Sequence, residues 1–307
     1  MEMEEIPCNL CESRDARPFL KAMDFLIKTE KEYSLVKCRK CGLVYLSPRP
    51  RNLMLLYGAD SYAHYSIAPP NEKTGIVKVI VSTVRPAWKL FIRMVFGEDI
   101  WELERLEKGK LLDIGCSSGT YIYGMKSNGW EVTGIEPSKF AAEKARYLGL
   151  NVINSTFEKA EIAGQGKFDV ITMKQVIEHV PYPSKALGKV HRILRKGGIL
   201  VVDTPDIGSW EYMLFGKNWG SLEVPRHVTL FDKSTLRRML EKNGFEVVEI
   251  RSEIYPAGFI GGLNFMTGEN LRLIFNSRVF FWVVALPYSI AARLFGSGKI
   301  AATAIKK

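Results

Sequence analysis

The feature that most constrains this chain is a short apolar run closing on an acid and two glycines: Leu111-Leu112-Asp113-Ile114-Gly115-Cys116-Ser117-Ser118-Gly119. Such a run, followed by a helical pattern, reads as a buried strand, a tight turn and a helix start. A dinucleotide-binding turn would have glycine where Asp113 stands, in G-x-G-x-x-G; the spacing here is D-x-G-x-x-x-G. Gly115 and Gly119 lack side chains and so let a ligand approach the backbone closely. The acid at 113 disfavours a pyrophosphate and suits a ligand that carries an ammonium group and a sulfonium. Glu136, at the end of the next apolar run, lies about twenty residues beyond the turn, where a carboxylate can accept from two ribose hydroxyls. The plainer reading of Glu136 is a solvated strand-end charge.

Around this turn, strand and helix patterns alternate. Strands are expected at 110–115, 131–135, 151–153, 168–173, 199–203, 245–251 and 299–306. Helices are expected at 120–128, 138–148 (Ser138 as N-cap), 184–194 and 233–243. The fold class this implies is α/β: a Rossmann-like, mostly parallel seven-stranded sheet with helices on both faces. Its span is 109–307, with an apolar helical insertion at about 256–296.

Residues 1–50 read as a separate module. Cys8 and Cys11 form one C-x-x-C pair, and Cys38 and Cys41 the other. Two residues between ligands let both sulfurs of a knuckle reach one tetrahedral ion, so the expectation is a structural, ribbon-like Zn2+ site. Lys37, Arg39 and Lys40 are expected to offset its negative charge. A redox dithiol is the weaker reading, because neither pair opens a helix after a strand. The boundary is expected at Leu46-Ser47-Pro48-Arg49-Pro50.

The stretches LLDIGCSSG, GIEPS, FDVITMKQVIEHVPYP and LRKGGILVVDTP resemble the class I S-adenosylmethionine (SAM) dependent methyltransferases over about 109–251. The resemblance implies SAM as cofactor, a glycine turn cradling its methionine part and an acid holding its ribose. Carried onto this chain, those residues are Asp113, Gly115, Cys116, Gly119 and Glu136. Met173-Lys174-Gln175-Val176 would line the methyl-donor region, with Gln175 as the polar contact. Thr156 stands where the family often has an acid for the adenine amine, so adenine contacts are expected from Thr156, Phe157 and nearby backbone. A four-cysteine module before such a core also resembles sugar C-methyltransferases, which implies a saccharide-type acceptor.

Methyl transfer needs a positioned nucleophile, and a general base only where the acceptor is a hydroxyl or an acidic carbon. His179, after the fourth strand, and His227, on the loop after the fifth, are the candidates; each can also be a packing histidine. Glu178 reads as a helix-start residue. Cys116 reads as packing the turn.

The 307 residues carry a net charge of +10, which suits an anionic partner without naming one. Two apolar, basic stretches, 75–97 and 270–295, read either as a helical lid over the cleft or as an interfacial surface touching membrane through Trp88, Phe281 and Trp282. Residues 51–108 read as a helical linker and lid, and Tyr57, Tyr62, His64 and Tyr65 would border the acceptor pocket. Pro287 would kink the second stretch, and neither is long enough uninterrupted to span a bilayer. The acidic start, 1–6, does not read as a secretory signal. The expected setting is cytoplasmic, with peripheral contact at the inner membrane face.

The leading expectation is methyl transfer from SAM to a small-molecule acceptor, a sugar or lipid-linked glycan. A nucleic-acid methyltransferase is the alternative raised by charge and zinc, but Met173-Lys174-Gln175-Val176 lacks the Asp/Asn-Pro-Pro-aromatic motif of amino-methylating nucleobase enzymes. A non-catalytic, zinc-bearing SAM-binding interaction protein is the third reading, opposed by the intact Asp113, Gly115, Gly119 and Glu136 set.

Overall fold

The computed structural model describes residues 2–24, 31–56, 106–162, 166–267 and 278–307. The expected 75–97 stretch, most of the 51–108 linker, Tyr57, Tyr62, His64, Tyr65, Trp88 and the side chains of Phe281 and Trp282 lie outside them.

The core strands are β6 (Lys110–Ile114), β7 (Glu131–Ile135), β8 (Asn151–Ile153), β9 (Phe168–Lys174), β10 (Leu194–Pro205), β12 (Phe245–Ser252) and β13 (Lys299–Lys306). They pair in the order β12-β13-β10-β9-β6-β7-β8. All neighbours run parallel except β13, which is antiparallel to both β10 and β12. Parallel strands covered on both faces need apolar residues at successive positions, and Leu111, Leu112 and Ile114 of β6 are all buried. The strand order reverses beside β6, with β7 on one side and β9 on the other, and ligands bind outside the strand ends at such a point.

Helices α1 (Thr120–Ser127), α2 (Lys139–Tyr147), α3 (Pro183–Ile193) and α5 (Lys233–Lys242) join these strands, within two residues of expectation. Ser138 caps α2 by accepting from the Ala141 amide, and Asp232 and Thr235 form a reciprocal box at the start of α5. A short α4 (Trp210–Phe215) follows β10, and α6 (Pro256–Met266) and α7 (Arg278–Phe295) form the apolar insertion. Tyr288 of α7 donates to Glu211 of α4, 2.6 Å away, which anchors the insertion on the core. No helix among the described residues is long and apolar enough to cross a membrane.

The N-terminal part is built from β1 (Met3–Glu4), β2 (Ala16–Met23), β3 (Glu32–Cys38), β4 (Val44–Leu46) and β5 (Arg49–Pro50). The stretch expected as the boundary, 46–50, packs against the rest of the chain. The four-stranded sheet β11-β4-β3-β2 takes β11 (Thr229–Leu230) from the far side of the chain. Arg49 is 1% exposed, pairs with Glu4 at 2.9 Å and donates to the Pro181 carbonyl at 2.5 Å. Arg226 forms a buried two-pronged pair with Asp24 at 2.9 and 3.2 Å. These bonds clamp the module against the loops that follow β9 and α4.

Candidate active site and cysteine centre

Gly115 and Gly119 lie at φ +76° and +82°, in the left-handed region that side chains resist. The Gly115 and Cys116 amides both donate to the Ile135 carbonyl, which folds the turn over the end of β7. A Cβ on Gly115 would come 2.5 Å from Val176 Cγ2. One on Gly119 would come 2.4 Å from Leu150 Cδ1 and 2.9 Å from Ala145 Cβ, so this bare position is filled by protein, where α1 packs on α2. Cys116 packs as expected: its sulfur lies 2.5 Å from where a Gly134 Cβ would be.

Ionisable groups cluster at the strand ends. Glu136 accepts from the Ser117 amide at 2.9 Å and from the Ser138 amide at 2.8 Å, one bond to each oxygen. It is buried, not solvated, and burial raises its pKa against those two amides. Each oxygen keeps a second lone pair for a hydroxyl donor. Asp113 faces inward, accepting from Thr172 Oγ1 at 2.6 Å, and burial pushes its pKa up to about 7. Asp203, which lies outside the sequence motifs, accepts the Gln175 backbone and side-chain amides and pairs with Lys299 at 3.2 Å. Its signal in the sequence is a lone acid near the end of the strand that follows the Met173-Lys174-Gln175-Val176 stretch. Lys174 lies over the Tyr121 ring, 4.6 Å from its centroid.

Thr156 closes a turn, its carbonyl accepting from Lys159 and Ala160. The Phe157 ring is 5% exposed, belongs to the main core and is covered by Lys189, so an adenine contact from this residue is left to its backbone. An aromatic ring of this size buries itself where apolar neighbours are available.

The two histidines, far apart in sequence, come together. Their rings meet edge to face with centroids 4.6 Å apart. His179 Nδ1 is 3.2 Å from the Arg226 carbonyl and His227 Nδ1 is 2.9 Å from the Ser221 carbonyl. Burial holds both imidazoles neutral, with pKa values lowered to about 3. Glu178 corrects its reading as a helix-start residue. The next helix begins at Pro183, and the Glu178 side chain is fully buried with Oε2 accepting from Thr204 at 3.0 Å. Its backbone carbonyl accepts from the Val228 and Thr229 amides, which joins the two histidine loops.

The four cysteine sulfurs lie within 4.8 Å of one another, with Cys8–Cys41 at 3.3 Å and Cys11–Cys38 at 3.5 Å. Tetrahedral zinc thiolates sit about 3.8 Å apart, so the donor set fits one such ion with no position left open. Gly42 at φ +80° closes the second knuckle. Lys37 lies beside the second knuckle, its Cε 3.9 Å from where a Gly42 Cβ would be. Arg39 pairs with Asp15, while Arg238 and Lys242 of α5 donate to the Cys41 and Leu10 carbonyls.

A mostly parallel sheet, a glycine turn at its switch point and an acid at the next strand tip define a nucleoside-cofactor enzyme. Residues 93–250 match a methyltransferase-domain family, and the chain belongs to it: it is a class I SAM-dependent methyltransferase. It is 34% identical over 105 residues to a ubiquinone biosynthesis O-methyltransferase of Alkalilimnicola ehrlichii, covering 32% of this chain and 42% of that one. To the enzyme of the same name from Thiobacillus denitrificans it is 28% identical over 158 residues, covering 48% and 68%. The chain thus spans between two fifths and two thirds of these relatives' length. A SAM-dependent methyltransferase structure from Archaeoglobus fulgidus aligns at 18% identity and TM-score 0.48, over 76% of this chain and all of that one.

Proposed function

We propose that this enzyme transfers the SAM methyl group to a hydroxyl of a small-molecule acceptor. The observation that carries the reading is Glu136, a buried carboxylate at the tip of β7, bonded to the glycine turn and the start of α2. In this reading Glu136 holds the ribose diol. The turn of Gly115, Cys116 and Gly119 takes the methionine end, with Asp113 behind it. Gln175 lines the methyl-donor region, and the Thr156–Phe157 backbone borders the adenine. Relatives named O-methyltransferases support an oxygen acceptor. The saccharide reading has the cysteine module alone in its favour.

We assign His179 and His227 to the acceptor side, because the loop carrying His179 opens with Val176 against Gly115 and His227 packs edge to face on His179. A neutral imidazole there can take the proton that a methylated hydroxyl releases. Cys8, Cys11, Cys38 and Cys41 would hold Zn2+, which would supply no chemistry in this scheme and would fix the module that braces both histidine loops. The test is incubation with SAM carrying a labelled methyl, against extracts of phenolic and saccharide metabolites, with mass spectrometry of the products. Label on phenolic or sugar oxygens, absent in Glu136→Ala, supports the reading. Label only on nitrogen or carbon overturns it.

A further inference from the structure

We propose that Tyr255, at the start of the apolar insertion, is the stacking wall of the acceptor pocket, and that it selects an acceptor whose hydroxyl sits on a flat aromatic ring. That the stacked ring is a methyl acceptor rests on the reading of the glycine turn as the SAM site; ring binding itself does not. Tyr255 stands at the N-cap of α6, a position where Ser, Asp and Asn satisfy the first helical amides. Its side chain makes no such bond. The phenol does nothing for the helix start, so its role lies in what it faces.

Tyr255 is 43% exposed, although buried groups adjoin it. The Lys299 ammonium lies 5.6 Å from its ring centroid, held by Asp203 at 3.2 Å and Glu253 at 2.8 Å. Ser221 adjoins it as well. A Cβ on Gly258 would come 3.1 Å from Ser221 Oγ and 3.3 Å from Tyr255 Cδ1, so the bare glycine lets the ring and the loop lie together. Ser221 is the residue whose carbonyl meets His227 Nδ1, and Asp203 is the one that holds the Gln175 amide. Tyr255 thus stands between the loop assigned to the acceptor and the strand end assigned to the methyl donor. Burial raises the pKa of its hydroxyl, and the charges of Lys299, Glu223 and Asp203 act on it. A phenol that is open over its ring and desolvated at its hydroxyl lines a recess; on a convex surface both would be wet.

The chemistry of the recess favours a flat aromatic ring over a sugar. A saccharide is read by side chains with hydrogen-bonding capacity to spare around its hydroxyls. The cations and the amide near Tyr255 are committed to carboxylates: Lys299 to Asp203 and Glu253, Gln175 to Asp203, and Arg226 to Asp24. What Tyr255 offers is a π-face, oriented by the ammonium beside it. Offset stacking on such a face raises affinity about twofold to tenfold beyond the area it buries.

The test uses the full chain with S-adenosylhomocysteine, the demethylated product of SAM, and two probes, catechol and methyl glucoside, followed by saturation-transfer difference NMR. The expected result in wild type is strong saturation of the catechol ring protons and little of the glucoside protons. Tyr255→Phe keeps the π-face and should keep catechol binding. Tyr255→Leu should lose about tenfold in catechol affinity, with affinity for S-adenosylhomocysteine unchanged. Tyr255→Ser should show the same loss, and it places a good cap on α6, so it serves where the Leu variant does not fold. Catechol affinity unchanged in either folded variant overturns the proposal. So does a wild type that binds no catechol, or one that saturates the glucoside as strongly as catechol. Calorimetry with S-adenosylhomocysteine runs in parallel: no binding of that product, with Tyr255-dependent catechol binding intact, sinks the methyl-transfer reading and leaves the aromatic wall standing.

Discussion

Gln175 donates both its backbone N–H and its side-chain amide to a single oxygen of Asp203, at 3.0 and 2.9 Å. Gln175 is held at φ +54°, where a side chain is strained, so Asp203 stabilises an unfavourable backbone as well as placing an amide. The other Asp203 oxygen faces Lys299 at 3.2 Å. Asp203→Ala takes the acceptor from Gln175 and a carboxylate from Lys299, and a broken buried pair costs about 3–5 kcal/mol. Asp203→Asn keeps an acceptor for Gln175 and loses the charge alone. Urea unfolding should rank wild type above Asn and Asn above Ala. SAM calorimetry should separate the two variants in the same order.

Asp113 predicts a pH dependence. Burial raises its pKa from 3.8 to about 7, above the value of the unfolded chain. Between those two values the folded protein holds a proton that the unfolded one has released. The sign is therefore that stability from this group is complete below pH 3.8 and falls as pH rises through 7. Each tenfold difference in proton affinity between the folded and unfolded chain corresponds to about 1.4 kcal/mol. Asp113→Asn should flatten the fall in urea-derived stability between mildly acidic and neutral pH, and an unchanged slope would assign it to other groups.

Most of the core was legible because its signals are local. Alternating apolar runs, Ser138 before a helix and glycine at the turn each act within a few residues, and β13 was read to its last residue. What escaped is long-range. Nothing near Arg49 says that its guanidinium will be buried against Pro181, and a Ser-Pro-Arg-Pro stretch reads as a boundary. Glu178 escaped because a buried carboxylate and a helix-start one look alike in sequence. The histidines were named singly, and only the fold puts their rings 4.6 Å apart.

Glu136→Ala removes one acceptor from the Ser117 amide, one from the Ser138 amide and the proposed ribose contact. The helix cap at Ser138 Oγ survives, so the fold should persist. SAM affinity should fall at least tenfold, about 1.4 kcal/mol, by titration calorimetry. Full affinity with unchanged circular dichroism would take Glu136 out of the cofactor site.

The cysteine module should govern the histidine loop at a distance. β4 pairs with β11, which begins two residues after His227, and Asp24 of the module holds Arg226. Binding free energy of a structural ion is folding free energy in so small a unit. Stripping the ion with a chelator should therefore release β4 from β11 and expose the Arg226–His227 bond, which trypsin cuts after arginine. In the loaded protein Arg226 is 5% exposed and its loop is pinned by the Val228 and Thr229 amides on the Glu178 carbonyl, so cleavage there should be slow. The expected outcome is a new fragment pair from that site after chelation, and the same pair from Cys38→Ser without it. Release of the ion with no change in the rate of cutting at Arg226 would mean that the module folds on its own and does not brace the site.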